Sequence, residues 1–189
     1  MRKKWFPAAA AILVIVGLIL TIKYTRFYFI PKNFNVVEQD LYRGGKQTDR
    51  VFRELLDKYK FKTVVSLTGE CKEQEKAAAD AGASYVFYNW HGSGVGPFNE
   101  YQAVSTLLTN TATRPAFFHC AAGDKRSNAV TFAISLDEGM TPDKAFARLE
   151  QYGFSKTIDT TLYQHLKDYA EWRERQSKDV KPPPATPAQ

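Results

Sequence analysis

The fold is decided by one stretch of the chain, Phe118-His119-Cys120-Ala121-Ala122-Gly123-Asp124-Lys125-Arg126-Ser127. A short apolar segment, 116–119, leads into it and predicts a buried strand, and the apolar segment 127–136 beyond it predicts a helix. A loop between a strand end and a helix start directs successive backbone amides into one hollow, and the helix dipole adds partial positive charge. We therefore expect this loop to bind a tetrahedral oxyanion.

Three residue types in the loop fit that chemistry. Gly123 permits the backbone conformation that a tight loop needs, and Arg126 offers a planar fork of donors that matches two phosphate oxygens. The same positive field lowers the pKa of a thiol, so Cys120 is expected to be an ionised nucleophile. Each residue alone has an ordinary structural explanation, such as a small buried cysteine or a solvated arginine. Together, His-Cys-x-x-Gly-x-x-Arg-Ser/Thr should arise by chance in roughly one chain of this length in tens of thousands, which favours a catalytic site.

The remaining pattern alternates strands and helices and predicts an α/β sandwich, in which a central mixed sheet is flanked by helices. The chain has 189 residues, 44% apolar and 24% charged, which is typical of a packed globular protein. The predicted domain covers residues 31–177, and the proline-rich residues 178–189 are expected to form a disordered tail. Predicted strands occupy residues 35–38, 41–42, 62–67, 84–88 and 116–119, and predicted helices follow Thr48 and Thr141 and occupy residues 73–81, 99–108, 127–136 and 158–175.

Residues 1–30 differ from the rest and are predicted to form an N-terminal membrane anchor with its flanks. The uncharged run 5–22 would extend about 27 Å as a helix, close to the roughly 30 Å hydrocarbon core of a bilayer. A cleaved signal peptide is one alternative, although the end of the run lacks the small residues of a cleavage site. A buried core helix is another, although the run is apolar on every face. We expect a single-pass transmembrane helix.

Basic residues on both sides of this run bear on its orientation. Three precede it and favour a cytoplasmic N-terminus. Lys23, Arg26 and Lys32 follow it and favour the reverse. The prediction is a domain outside the cytoplasm, in the periplasm if the source is Gram-negative.

The segment from His119-Cys120 to Arg126-Ser127 resembles the signature of the cysteine-dependent protein tyrosine and dual-specificity phosphatase superfamily. Upstream, the run 41–47, a predicted helix and then 62–67 are similar to the opening of compact atypical dual-specificity phosphatases. The resemblance covers roughly residues 35–170. It implies hydrolysis of phosphate monoesters through a phosphocysteine intermediate, without a metal or cofactor.

The resemblance also implies a role for each loop residue. Cys120 would attack phosphorus, Arg126 would hold the equatorial oxygens, and Ser127 would assist departure of the thiolate. His119 would support the loop and the low pKa of the thiol through hydrogen bonds. The substrate phosphate would lie against His119, Ala121, Ala122, Gly123, Asp124, Lys125 and Arg126.

The resemblance does not fix the proton donor for the leaving oxygen. Most members of the superfamily carry an aspartate on a mobile loop before the cysteine, whereas residues 89–100 here contain no aspartate. The candidates are Asp124 in the phosphate loop, His91 and Glu100, and a site with no dedicated acid is a further alternative. Each candidate also has a structural explanation, as a residue that orders the loop, a solvated loop residue or a carboxylate in a helix's first turn.

Cys71 is the only other cysteine, and it follows the predicted strand 62–67. Some lipid phosphatases of the superfamily inactivate reversibly through a disulfide between such a cysteine and the nucleophile. The resemblance therefore implies a regulatory pair of Cys71 with Cys120, and an unpaired thiol at a helix start is the alternative. A structural disulfide is disfavoured because it would consume the nucleophile.

The formal charge of +6 suits an anionic partner. The predicted substrate is a phosphorylated protein or a simple phosphoester, and a lipid or inositol phosphate at the membrane is the alternative. Ala121 and Ala122 weaken that alternative, because phosphoinositide-directed relatives often have basic residues there. A non-catalytic phosphate-binding module and sulfur or arsenate chemistry are further alternatives, and Cys120 together with Arg126 disfavours the first. No nucleic-acid partner is expected.

Overall fold

The structure, a computed structural model, describes residues 6–179, and this part of the chain contains one five-stranded sheet. The strands are β1 (Asn35–Glu38), β2 (Leu41–Gly45), β3 (Thr63–Ser66), β4 (Ser84–Phe87) and β5 (Ala116–Cys120). Their order across the sheet is β1-β2-β5-β3-β4, in which β1 is antiparallel to β2 and all other neighbours are parallel. The mixed sheet predicted from the sequence is confirmed.

Seven α-helices accompany the sheet within residues 6–179. They are α1 (Phe6–Thr25), α2 (Asp49–Tyr59), α3 (Lys72–Asp80), α4 (Phe98–Thr109), α5 (Lys125–Asp137), α6 (Pro142–Glu150) and α7 (Thr160–Asp179). The helix starts predicted after Thr48 and Thr141 are confirmed, and both residues cap their helices: their hydroxyls accept hydrogen bonds from the amides of Val51 and Lys144. Such a bond satisfies one of the amides that a helix start leaves without a partner.

Two apolar cores cover the two faces of the sheet, and β5 contributes alternately to both. Phe117 packs into the core formed with α2 and α3, whereas Phe118 packs into the larger core formed with α4 to α7. Successive side chains of a strand point to opposite faces, so a central strand covered on both sides is apolar throughout. Both residues are fully buried. The two layers of helices thus enclose β5, and the loop with Cys120 leaves from its end.

Several boundaries differ from the prediction. Helix α5 begins at Lys125 instead of residue 127, and β2 continues to Gly45 because Gly44 and Gly45 pair with His119 and Cys120 of β5. Helix α7 ends at Asp179, so a disordered tail from residue 178 is wrong for its first two residues. Residues 180–189, which carry the rest of that prediction, lie outside the described part of the chain.

Helix α1 is long and apolar enough to cross a membrane. Its window Ala11–Tyr28 has a mean hydropathy of 1.6, and none of this window is buried against the rest of the protein. The alternative of a buried core helix is therefore wrong. Residues 1–5, which include the first residue of the predicted span 5–22, lie outside the described part of the chain.

Candidate active site

Cys120 lies at the end of β5, and the loop from it leads directly into α5. Its Sγ atom accepts a hydrogen bond from the amide of Gly123 at 3.2 Å, and the residue is almost completely buried. Burial by itself raises the pKa of the thiol. Hydrogen bonds from the hydroxyl of Ser127 and from the amides of Ser127, Asp124 and Gly123 outweigh burial, so the pKa lies below its usual value. The loop therefore favours the thiolate, as the sequence predicts.

Three consecutive carbonyl groups of the loop are bound from outside by side chains of the segment before β1 and of β2. Lys32 Nζ donates to Ala121 O at 2.9 Å, Asn33 Nδ2 donates to Ala122 O at 2.7 Å, and Arg43 Nη2 donates to Gly123 O at 3.1 Å. Because the carbonyl and amide of a trans peptide unit point in opposite directions, carbonyls held outward turn the following amides inward. This arrangement builds an anion-binding hollow around Sγ.

Arg43 is a site residue that the sequence analysis missed. It is fully buried, donates to Thr131 Oγ1 at 3.0 Å as well as to the loop, and lies 4.1 Å from the ring centre of Tyr152. Burial lowers the pKa of Arg43 to about 10, while Tyr152, Cys120 and Asp124 act to raise it. Arg43 therefore keeps its charge at neutral pH and favours the anionic form of the thiol. The available signal was a charged residue inside the otherwise apolar start of β2.

Gly123 is required by the close approach of β2 to the loop. Its φ is +79°, and a Cβ atom there would lie 2.5 Å from the amide nitrogen of Gly45 and 2.6 Å from the carbonyl carbon of Gly44. A Cβ atom on Gly45 would in turn lie 2.9 Å from the carbonyl oxygen of Ala122. Both contacts are with backbone, which cannot rotate away. The glycine pair that ends β2 therefore belongs to the support of the site.

Arg126 is held by two neighbouring loops. Its Nη1 atom donates to the carbonyls of Leu67, after β3, at 3.2 Å and of Trp90, after β4, at 3.1 Å. Its Nε atom is buried and has no hydrogen-bond partner among the described residues. An unpartnered buried donor on a fixed guanidinium fits the predicted function of gripping an oxyanion.

Ser127 is fully buried beneath the loop. Its Oγ atom lies 3.3 Å from the carbonyl oxygen of Gly44, and the same hydroxyl also hydrogen-bonds the thiol of Cys120. A hydroxyl carries one proton, so it serves one acceptor at a time. This placement fits the predicted assistance to a departing thiolate.

His119 is fully buried in β5. Its ring packs against Phe117 with centroids 5.4 Å apart, and within residues 6–179 neither ring nitrogen has a close hydrogen-bond partner. Burial, aided by Lys46, lowers the pKa of His119 to about 4, so the ring is neutral at neutral pH. A hydrogen bond with the backbone of Cys120 acts to raise the same pKa, and burial outweighs it. Because side chains of a strand alternate, His119 faces the α2–α3 side and Cys120 faces the other. The support of the loop by His119 that the resemblance implies stays a prediction.

The three candidate acids have different surroundings. Glu100 accepts a hydrogen bond from the indole Nε1 of Trp90, which ties α4 to the loop that holds Arg126. His91 is exposed on that same loop, with its Nδ1 atom 2.9 Å from Ser93 Oγ. Glu100 thus has a structural contact, and His91 lies one residue from a carbonyl that binds Arg126.

Asp124 is half-buried at the start of α5, where its side chain makes no capping bond and accepts from Asn128 Nδ2 at 3.2 Å. Burial and the nearby Asp159 raise the pKa of Asp124 above its usual value, and Lys125 and Arg43 act in the opposite sense. A carboxyl group with a raised pKa inside the phosphate loop has the character expected of an acid.

Lys125 is paired with a buried carboxylate that the sequence analysis missed. Its Nζ atom lies 3.3 Å from Asp159 Oδ1, and Asp159 also accepts a hydrogen bond from the amide of Ser155 at 3.1 Å. Asp159 is only 7% exposed. Lys125 is therefore engaged in an ion pair at the loop rim. The two residues are far apart in sequence, and no local pattern indicates their pairing.

Cys71 immediately precedes α3 and is not bonded to Cys120, and both thiols are free. The Sγ atom of Cys71 lies 3.6 Å from Glu73 Oε2. The regulatory disulfide stays a prediction. Within residues 6–179, no group of three or more histidine, cysteine, aspartate or glutamate side chains is arranged to hold a metal ion.

No protein-family model and no curated protein matches the sequence, whereas many solved structures match the fold. The core catalytic domain of the PP-IP phosphatase Siw14 from S. cerevisiae matches with a TM-score of 0.62 and 19% identity, over 79% of this chain and 93% of that one. PTPMT1 matches with a TM-score of 0.61 and 13% identity, over 77% of this chain and 99% of that one. TpbA from P. aeruginosa matches with a TM-score of 0.58 and 19% identity, over 75% of this chain and 84% of that one. The chain therefore has the fold of the cysteine phosphatases related to protein tyrosine phosphatases, as its loop signature predicts.

Proposed function

We propose that the protein hydrolyses phosphate monoesters by two displacements at Cys120. In the first, the thiolate attacks phosphorus, the bond from phosphorus to the ester oxygen breaks, and the leaving oxygen takes a proton. In the second, water attacks the phosphocysteine, the phosphorus–sulfur bond breaks, and inorganic phosphate leaves. The observation that supports this most strongly is the outward fixing of three loop carbonyls around Sγ, at 2.7 to 3.1 Å.

Phosphoryl transfer needs charge neutralisation and in-line positioning more than covalent chemistry from the protein. In the proposal, the loop amides and Arg126 Nε bind the equatorial oxygens of the phosphoryl group. In the second displacement, the hydroxyl of Ser127 donates a hydrogen bond to the sulfur and so stabilises the thiolate that is restored. Fixing of Arg126 by two carbonyls supports this assignment, since a positioned donor loses little entropy when substrate binds.

Asp124 is proposed as the donor of a proton to the leaving oxygen. Its raised pKa leaves more of it protonated at a given pH than an ordinary aspartate. His91 is the alternative donor, because it lies on the loop that holds Arg126 and its side chain is exposed. Glu100 is less suitable, because the indole of Trp90 occupies its carboxylate.

A phosphorylated protein or a simple phosphoester is the first candidate substrate, since Ala121 and Ala122 add no positive charge to the loop rim. A lipid phosphate is the second candidate, and the short connection between the proposed anchor and the catalytic loop favours it. Lys32, which bonds the catalytic loop, comes ten residues after the end of the proposed anchor, residues 5–22. Ten residues extend at most about 36 Å. This connection limits how far the loop can lie from a bilayer that holds the anchor.

We also propose that residues 5–22 anchor the protein by a single pass, with residues 31–177 as the catalytic domain outside the cytoplasm. The exposed side chains of Tyr28, Phe29 and Ile30 suit a membrane interface. Protease added to spheroplasts should digest the domain, and protease added to inverted membrane vesicles should not. The opposite pattern would contradict the orientation, and recovery of the full chain without detergent would contradict the anchor.

The activity is tested with the full chain in detergent and phenyl phosphate as substrate. Turnover and inhibition by vanadate are expected. Cys120→Ser should reduce turnover to the uncatalysed rate, whereas the matched variant Cys71→Ser should keep it. Turnover that survives in Cys120→Ser would refute the phosphocysteine mechanism.

A further inference from the structure

The backbone of Lys32 is docked onto the end of β2 by the side chain of Gln47. The Oε1 atom of Gln47 accepts from the amide of Lys32 at 2.7 Å, and its Nε2 atom donates to the carbonyls of Lys32 at 3.0 Å and Gly45 at 2.7 Å. The amide of Gly45 donates to the same carbonyl of Lys32 at 2.9 Å. Gln47 is only 3% exposed, so water competes little for these bonds. Both backbone groups of Lys32 are therefore fixed, which aims its side chain at the carbonyl of Ala121.

Asn33 follows directly and has a left-handed backbone, with φ +45°. Asparagine adopts this conformation more readily than most residues, but a non-glycine residue keeps it only where surrounding contacts impose it. The bonds of Gln47 to the preceding residue supply such contacts. In this conformation Asn33 packs on the loop, because its Cβ atom lies 3.0 Å from the position that a Cβ atom on Gly123 would take.

A single peptide unit connects Asn33 to the nucleophile. The unit between Ala122 and Gly123 accepts from Asn33 through its carbonyl at 2.7 Å and donates to Cys120 Sγ through its amide at 3.2 Å. A hydrogen bond to the carbonyl polarises the unit and strengthens donation by its amide. That amide is one of the groups that lower the pKa of the Cys120 thiol. The side chain of Asn33 therefore acts on the sulfur through the backbone of the loop.

We propose that Gln47 and Asn33 are positioning residues for the nucleophile: Gln47 fixes the segment before β1, and Asn33 then orients and polarises the peptide unit that donates to the sulfur. Within residues 6–179 neither side chain bonds Sγ itself. The inference rests on the proposed function and deepens it, since the same amide would also bind a phosphate oxygen. A purely structural role would lower the stability of the protein and leave the thiol unchanged.

The first test measures the pH midpoint of alkylation by iodoacetamide in the full chain in detergent. Every protein compared carries Cys71→Ser, so that Cys120 is the only thiol. Asn33→Gly removes the side chain, and glycine keeps the left-handed backbone without strain. The midpoint should rise by about 0.5–1 pH unit, because a hydrogen bond to a charged group is weakened. Lys60→Gly is the matched control and should not move it, since Lys60 is also left-handed, with φ +50°, and pairs with Asp57 of α2.

The second test uses Gln47→Met, which keeps an unbranched side chain and removes its hydrogen bonds. The alkylation midpoint should rise by at least as much as in Asn33→Gly, and the inhibition constant of vanadate should rise about threefold to tenfold. Leu56→Ala, in the core beside α2, controls for lost stability: its urea midpoint should fall and its alkylation midpoint should stay. The charged residues of the loop and of β2 are the same in every variant, namely Asp124, Lys125, Arg126 and Arg43.

An unmoved alkylation midpoint in Asn33→Gly, or an equal rise in Lys60→Gly, overturns the positioning role. An equal rise in Leu56→Ala also overturns it, because lost stability would then explain the change. Asn33 is exposed, so its variant keeps the test decisive if Gln47→Met does not fold. If the midpoints move as expected while the wild type turns over no phenyl phosphate, the phosphatase proposal fails and the positioning of the sulfur stands.

Discussion

Gly123→Ala probes the contact between β2 and the catalytic loop. Gly123 has φ +79°, a left-handed conformation that costs an L-residue roughly 1–2 kcal/mol. The added methyl group would also meet backbone atoms of Gly44 and Gly45 at 2.6 and 2.5 Å, and overpacking of this kind typically costs about 1–3 kcal/mol. The free energy of unfolding should therefore fall by about 2–5 kcal/mol.

Gly82→Ala supplies the matched control. Gly82 has φ +78°, but a Cβ atom there has no neighbour within 4 Å, so only the conformational cost applies. Urea unfolding of the full chain in detergent, followed by tryptophan fluorescence, should show a loss larger by about 1–3 kcal/mol in Gly123→Ala. The value of kcat/KM for phenyl phosphate should fall only in Gly123→Ala, because the loop must shift. Equal destabilisation and full activity in both variants would refute the close packing of β2 on the loop.

Three further substitutions test separate parts of the site. Arg43→Met removes a donor to the loop and a buried positive charge, so the pKa of Cys120 should rise. The pH midpoint of alkylation by iodoacetamide should then move up. An unmoved midpoint would contradict the stabilisation of the thiolate by Arg43. Asp124→Asn should lower kcat for an alkyl phosphate by about 10²–10⁴ and that for an aryl phosphate much less. With wild type, alkyl phosphate turnover should fall as pH rises through the raised pKa of Asp124, since the acid must be protonated, and equal losses on both substrates would exclude this acid. His119 has a pKa lowered from 6.5 to about 4, so its contribution to stability is complete above pH 6.5 and falls by about 3 kcal/mol towards pH 4. His119→Phe should remove that part of the pH dependence of the urea midpoint, and an identical pH dependence in both proteins would contradict the buried neutral ring.

The elements nearest the catalytic loop were predictable because their signals are local. An apolar strand, a glycine in the loop and an apolar helix follow one another within residues 116–137, and hydrophobic periodicity is sufficient to place them. The positions of Cys120, Arg126 and Ser127 at one hollow follow from this order. The mixed sheet also follows from the alternation of strands and helices.

The support of the loop was not predictable, because its contacts join distant parts of the chain. Lys32 and Asn33 bond carbonyls that lie 89 residues further along, and Arg43 bonds one 80 residues away. Nothing near these residues in sequence indicates a partner. Their pairing depends on β2 lying next to β5, which is a property of the complete sheet.

Two residues of this segment have surroundings that their residue types do not reveal. Lys125 forms an ion pair with Asp159, which approaches it from the segment before α7. The ring of His119 packs against Phe117, because the alternation of β5 turns it towards the α2–α3 side. In both cases tertiary packing sets the environment, and no local sequence pattern indicates it.

Direct observation of the covalent intermediate tests the account most strictly. The full chain is mixed with phenyl phosphate and quenched in acid, and its peptides are mapped by mass spectrometry. A phosphate adduct on the peptide with Cys120 is expected in the wild type, should be absent in Cys120→Ser, and should accumulate in Ser127→Ala because the second displacement is slowed. Turnover without any adduct, or an adduct on Asp124 instead of Cys120, would contradict the account.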